Sequence, residues 1–253
     1  MSNLISRLFI STVAEDSHEM AREFGLGIEL AEFCTAYNMD ECFSQHDARA
    51  RELMDGISAR VFHGPYNELC PAAIDPIVRE HTAKRYRQSI ALAQTYGIRK
   101  IVIHTGYIPF VYFPEWFIPE SVKFWRSFLA DLQEDIVICL ENVMEAGPEI
   151  QYEIVSAVND PRLKACLDVG HANTCLSHTP VEDWIRMLRP FLSHVHVHNN
   201  DGITDLHRSL GDGVLDMERI IDQLERETPE VTYTIESMVS RPSIDWLCQR
   251  QYI

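Results

Sequence analysis

Short apolar runs alternate with longer stretches of helical period along the whole chain. The runs LFISTV (8–13), GIEL (27–30), ARVFHG (59–64), KIVIHT (100–105), DIVICLEN (135–142), KACLDVG (164–170), SHVHVH (193–198) and VTYTIES (231–237) read as eight strands. Between them lie segments such as DPIVREHTAKRYRQSIALAQTYG, in which Asp75 caps a helix, Pro76 takes its first position and Gly97 terminates it. Strands alternating with helices predict βα units around a parallel sheet. Eight such units point to an α/β fold of the (β/α)8 barrel type.

Composition narrows this picture. A chain of 253 residues, 46% hydrophobic and undivided by any Pro/Gly/Ser-rich linker, is expected to form a single barrel domain over residues 1–253. The opening MSNLISRLFISTVAEDS turns polar without a cleavage site, and no later run reaches the apolar length of a membrane span. Cysteines 34, 42, 70, 139, 166, 175 and 248 are odd in number and lack CxxC pairing, so they read as reduced thiols. A soluble, cytoplasmic protein with no membrane partner is expected. The formal charge of −16, with only four lysines, argues against nucleic acid as a partner.

The candidate chemistry sits at the strand ends. His63 ends the third strand, His104 the fourth, Glu141 the fifth, Asp168 and His171 the sixth, His198 the seventh and Glu236 the eighth, and Asp205 and His207 follow in the next loop. In a (β/α)8 barrel the carboxyl ends of the strands carry the active site. Imidazoles and carboxylates without thiolates suit zinc, manganese or iron better than calcium. Strand alternation also places His194, His196 and His198 on one face, with Val195 and Val197 on the other. Such histidines are costly to bury unless they are hydrogen-bonded or ligated.

The stretches FHGPY, VIHTG, LENV, CLDVGHAN, VHNND, DLHRSLGDG and TIES carry a family resemblance. The chain resembles the xylose isomerase-like TIM barrels, which include sugar isomerases and epimerases together with endonuclease IV. By that resemblance His63, His104 and Glu141 hold a first metal ion. Glu141 bridges to a second, completed by Asp168, His198 and Glu236, while His171, Asp205 and His207 hold a third. The isomerases and epimerases resemble only the second set, with one divalent ion and Glu141 and Glu236 as the catalytic acid/base pair. The Asn-Asp that follows His198 marks it as the ligand, leaving His194 and His196 as structural histidines in deeper layers. Gly211 and Gly213 are expected to turn the loop tightly into the next helix.

Charge separates the two chemistries. With one ion, Glu141, Asp168, Asp205 and Glu236 leave the site negative, which suits a neutral polyol; three ions make it positive, which suits a phosphate ester. The segments AEFCTAYNMDECFSQHD and TGYIPFVYFPEWFIPES, read as loops after strands 2 and 4, contain no Lys or Arg to hold a duplex. Tyr107, Phe110, Tyr112, Phe113, Trp116 and Phe117 either cover a small ligand or pack a surface helix onto the barrel. The sequence departs from ketose 3-epimerases at ENVMEAG, where Glu145 is offset, and at HNNDGIT, which lacks their arginine. The expectation is a metal-dependent isomerase or epimerase acting on a small sugar or sugar phosphate, with one to three zinc or manganese ions. The alternatives are endonuclease IV-like hydrolysis of a phosphodiester and ligand binding without turnover. An oligomer is compatible with the sequence.

Overall fold

The computed structural model describes residues 3–253. Strands β1 (Leu8–Ser11), β2 (Gly27–Leu30), β3 (Arg60–His63), β4 (Lys100–His104), β5 (Val137–Glu141), β6 (Leu163–Asp168), β7 (Leu192–Val197) and β8 (Thr232–Ile235) pair in parallel in sequence order. β8 pairs with β1, which closes a (β/α)8 TIM barrel. Each strand falls where the apolar runs place it, trimmed or shifted slightly at the ends.

Around the barrel lie α1 (Ser17–Phe24), α2 (Ala36–Asp40), α3 (Phe43–Leu53), α4 (Pro76–Thr95), α5 (Pro114–Asp131), α6 (Glu149–Val158), α7 (Val181–Leu188), α8 (Met217–Glu227) and α9 (Arg241–Gln249). Helix α4 starts as its sequence dictates: Asp75 Oδ1 accepts the Ile77 N–H at 2.8 Å, and Pro76 needs no hydrogen-bond partner there. Gly97, at φ 72°, supplies the left-handed turn that ends it. No helix among the described residues is long and apolar enough to cross a membrane.

Two segments read as loops contain helices. The stretch after β2 folds into α2 and α3, with Thr35 capping the Asn38 N–H. Helix α3 buries little beyond Ala50 and Leu53, so it shows no broad apolar stripe in the sequence. After β4, Pro114 opens α5 and divides the aromatic cluster. Phe117 is fully buried under Tyr107 and Tyr112, with ring centroids at 5.1 and 5.6 Å, whereas Phe110 remains 95% exposed. Tyr107, Phe110, Tyr112 and Phe113 line a cavity of about 630 Å³, completed by Met144 and Leu176 from the loops after β5 and β6.

Apolar and polar side chains share the barrel interior. Phe9, Val61, Val102, Cys139 and Cys166 form an apolar plug. Gly27 is required there, because a Cβ atom at its position would overlap the Phe9 ring. Two residues beyond the plug on β3, β4, β5 and β6, the same inward face presents His63, His104, Glu141 and Asp168. The period of the strand thus converts an apolar layer into a polar one at the mouth.

Candidate metal centre

The polar layer resolves into groups whose potential ligand atoms lie within 4.8 Å of one another. His63 Nε2 and His104 Nε2 approach Glu141 Oε2 at 3.3 and 3.4 Å. His171 Nε2 and His207 Nε2 approach Asp205 Oδ2 at 3.2 and 3.0 Å. Glu141, Asp168 and Glu236 gather around His196, whose Nδ1 lies 3.1 Å from Glu141 Oε1 and 3.2 Å from Glu236 Oε2. All nine expected site residues therefore meet at one end of the barrel.

One placement differs from the expected sets. The resemblance places His198 with Glu141, Asp168 and Glu236; it groups instead with His171, Asp205 and His207, although its Nε2 also touches Asp168 Oδ1 at 3.0 Å. Its ring stacks on His207 at 4.0 Å. Gly170 makes room for it, since any Cβ at that position would penetrate the imidazole. His194 and His196 are hydrogen-bonded inside the barrel as expected, but His196 also reaches the carboxylates.

The hydrogen bonds of three histidines show what their other ring nitrogens can bind. His63 Nδ1 lies 3.0 Å from Gly64 O, His171 Nδ1 2.9 Å from Asn142 O and His207 Nδ1 2.7 Å from Glu236 O. A carbonyl oxygen only accepts, so each Nδ1 carries the hydrogen. In the neutral ring each Nε2 is then a bare lone pair aimed at a carboxylate oxygen. Acceptor facing acceptor requires a cation between them, and a ligating histidine commonly anchors its other nitrogen in this way. Buried Glu141 Oε2 and His198 Nδ1 have no hydrogen-bond partner among the described residues. The donor set fits a divalent ion of the zinc or manganese kind.

Without such an ion, protons supply the missing charge. Burial opposes ionisation, yet Asp168, Asp205 and Glu141 hold His171 well above its ordinary value. His207 rises to about 9 against burial, through its hydrogen bond to Asp205 and the nearby Glu236 and Asp168. Burial also disfavours the Asp168 carboxylate, but His171 and His198 bring it down to about 2. His104 moves the other way, pushed by burial to about 3. A metal ion entering at neutral pH therefore displaces protons.

Sequence reasoning missed Glu29 and Asn142, and noted Glu145 only as an offset glutamate. Glu29 on β2 is fully enclosed and meets both His194 and His196 at 3.0 Å. Asn142 pairs with the Asp168 backbone in both directions, at 3.0 and 2.9 Å, locking the end of β5 to the end of β6. Glu145 accepts from the Thr105 hydroxyl and from the N–H groups of Val143 and Met144, so it clamps the loop after β5 to that after β4. Asn142 directly follows Glu141, which is the local signal that could have found it.

A closed parallel barrel with imidazoles and carboxylates converging at its strand ends defines a class of protein whose chemistry lies in that mouth. The chain belongs to the xylose isomerase-like TIM barrel family, whose model matches residues 15–249. The uncharacterized protein MJ1311 of Methanocaldococcus jannaschii is 29% identical over 195 residues, which are 73% of this chain and 66% of that protein. The match thus spans slightly less than two thirds of that relative's length. Among solved structures, a D-tagatose 3-epimerase-like protein superposes with a TM-score of 0.76 at 24% identity, covering 97% of this chain and 96% of the other. The TTHB071 protein from Thermus thermophilus, from a crystal soaked with ZnCl2, gives 0.72 at 25% identity, with 97% of each chain covered.

Proposed function

We propose that the chain is a metal-dependent isomerase or epimerase acting on a small polyhydroxylated carbonyl compound, a sugar or sugar phosphate. The observation that carries this reading is the set of Nε2 atoms on His63, His171 and His207, each directed at a carboxylate by a carbonyl behind the ring. The epimerase-like and zinc-soaked neighbours support it.

By the family pattern Glu141, Asp168 and Glu236 would hold the ion of the isomerase-like set together with His198, which touches Asp168 from the outer group, and His196 stands beside the three carboxylates. A bound divalent ion orients the substrate's carbonyl and hydroxyl oxygens and stabilises negative charge that develops on them. Glu141 and Glu236, brought by β5 and β8 to the same His196 nitrogen, form the acid/base pair. One carboxylate removes the proton from the carbon beside the carbonyl, and the other carboxyl returns a proton to complete epimerisation or isomerisation. The aromatic cavity after β4 is lined also by the loops after β5 and β6.

A second reading is favoured by one feature. The groups His63/His104/Glu141 and His171/His198/Asp205/His207 exceed what a single ion requires and suit endonuclease IV-like, zinc-dependent hydrolysis of a phosphodiester. The absence of Lys and Arg from the segments after β2 and β4 weighs against a duplex substrate.

The test is metal analysis of protein purified without added metal, followed by incubation of the loaded protein with ketoses and sugar phosphates in D2O. Solvent deuterium beside the carbonyl, lost in Glu236→Gln, is the expected result. Cleavage of an abasic duplex at physiological salt with no such exchange would favour the second reading. Saturable sugar binding without exchange or cleavage would leave a binding protein.

A further inference from the structure

Below the mouth a line of polar groups runs along the barrel axis, and the proposed reaction makes no use of it. Glu29 Oε1 lies 3.0 Å from His196 Nε2; Glu29 Oε2 lies 3.0 Å from His194 Nε2 and accepts the Thr234 hydroxyl at 2.5 Å. His194 Nδ1 meets Thr232 Oγ1 at 2.6 Å, and that oxygen also accepts from Lys100 Nζ at 2.7 Å. Upwards, His196 Nδ1 faces Glu141 and Glu236. Glu29, His194 and His196 have no measurable solvent exposure.

Keeping a carboxylate and two imidazoles so far from water is costly. Apolar side chains pack the same barrel at Val61, Val102, Cys139 and Cys166, so filling space does not require the polar groups. What Glu29 adds is direction. An ionised carboxylate only accepts, so it takes the N–H of each imidazole at Nε2. Rotating the His196 ring by half a turn would set carbon atoms against Glu29 and against the upper carboxylates together. Whichever cation lies between Nδ1 and the carboxylates, proton or metal, the Nε2–H···Glu29 bond fixes where Nδ1 points.

We propose that Glu29 is a positioning residue for the metal centre: through His196 it sets the spacing and orientation of the facing oxygens of Glu141 and Glu236. This rests on the metal-dependent reading above. A partner one step behind a site's ligands typically changes metal affinity by about 10–100-fold when removed. A residue that merely fills the barrel would change stability instead.

The experiment is zinc titration of the full chain against a competing chelator, in an Asp205→Ala background that removes the shared carboxylate of the outer group. Glu29→Gln and His196→Gln are expected to weaken the remaining zinc binding by about 10–100-fold. His194→Gln, which disturbs the same network but leaves the Glu29–His196 contact, is expected to stay within about threefold of the background. Metal-free melting of each variant reports folding. Equal weakening by His194→Gln and His196→Gln would overturn the proposal, because it would mark a general structural role. Unchanged affinity in Glu29→Gln and His196→Gln would overturn it as well. Should Glu29→Gln not fold, Glu29→Asp takes its place: it keeps the charge but withdraws the oxygen from His196, so weakening in the same range is expected and unchanged affinity would overturn the proposal. A background protein that binds no zinc would instead overturn the metal-dependent reading, and this proposal with it.

Discussion

The floor of the mouth and its rim use the same residue types in opposite ways. On the floor, Glu29, His194 and His196 are sealed from solvent and bond mainly side chain to side chain. On the rim, Asp205 and His207 keep 35% and 25% of their side-chain surface exposed, and backbone carbonyls orient the rings. Those carbonyls belong to Asn142 and Glu236, so the inner strand ends aim the rim histidines. Histidine content alone therefore says little about role; the partner of the second ring nitrogen separates a ring held by the floor from one left open to a cation.

The largest expected effect erases that distinction. Glu141 faces His63 and His104 with one oxygen and His196 with the other, so Glu141→Ala should abolish stoichiometric zinc in both inner groups by equilibrium dialysis. Retention of full occupancy would break the comparison. Next, Asp205→Ala should empty only the rim, leaving the inner ion in place. In the unmodified protein the rim should also release its metal first on mild acidification, because protons compete for His171 and His207 while the inner site is richer in carboxylates. A metal count across mildly acidic pH checks this order; simultaneous loss would contradict it.

A smaller effect, on the order of 1–3 kcal/mol, should appear in the metal-free protein as opposite pH dependences of one histidine from each region, His207 and His194. His207, raised to about 9, contributes stability that is fully present below its ordinary value and lost as pH rises through about 9. His194, pushed by burial to about 4, costs stability as pH falls below its ordinary value towards 4, because the unfolded chain protonates first. Thermal melts should show His207→Gln flattening the alkaline limb and His194→Gln the acid one. The smallest change, about 1 kcal/mol, is expected from Thr234→Val, which removes one donor from Glu29 but keeps both histidine contacts. A melt and a zinc titration together test it, since zinc affinity should hardly move.

The strand ends were legible because period two and ligand-type side chains coincide there, as in VFHG, VIHTG and CLEN. Barrel topology followed from the alternation of runs. Glu29 was not legible: GIEL shows one charged residue in an apolar run, and its partner His196 lies 167 residues further on. The grouping of His198 was hidden for another reason. Pairing between β6 and β7 shifts register between Ala165 and Cys166, opposite Leu192 and His194, so the inward series on β7 does not advance in step with its neighbour. Sequence spacing shows which face a residue takes, whereas its height in the barrel depends on such shifts.

The segment that carries Asp205 and His207 is fastened at its base by Asn199. Its backbone pairs with Arg208 at 3.0 and 2.9 Å, while its side chain binds Leu210 O and Leu215 O and accepts the N–H of Leu215. Gly213 sits against the same side chain, where a Cβ would not fit, so the tight turn expected of that glycine closes onto Asn199. One residue therefore ties residues 208, 210 and 215 to the end of β7, with Asp205 and His207 in the loop between. Asn199 is thus a shared anchor, and a substitution that removes its amide, such as Asn199→Ala, is expected to displace Asp205 and His207 as a pair.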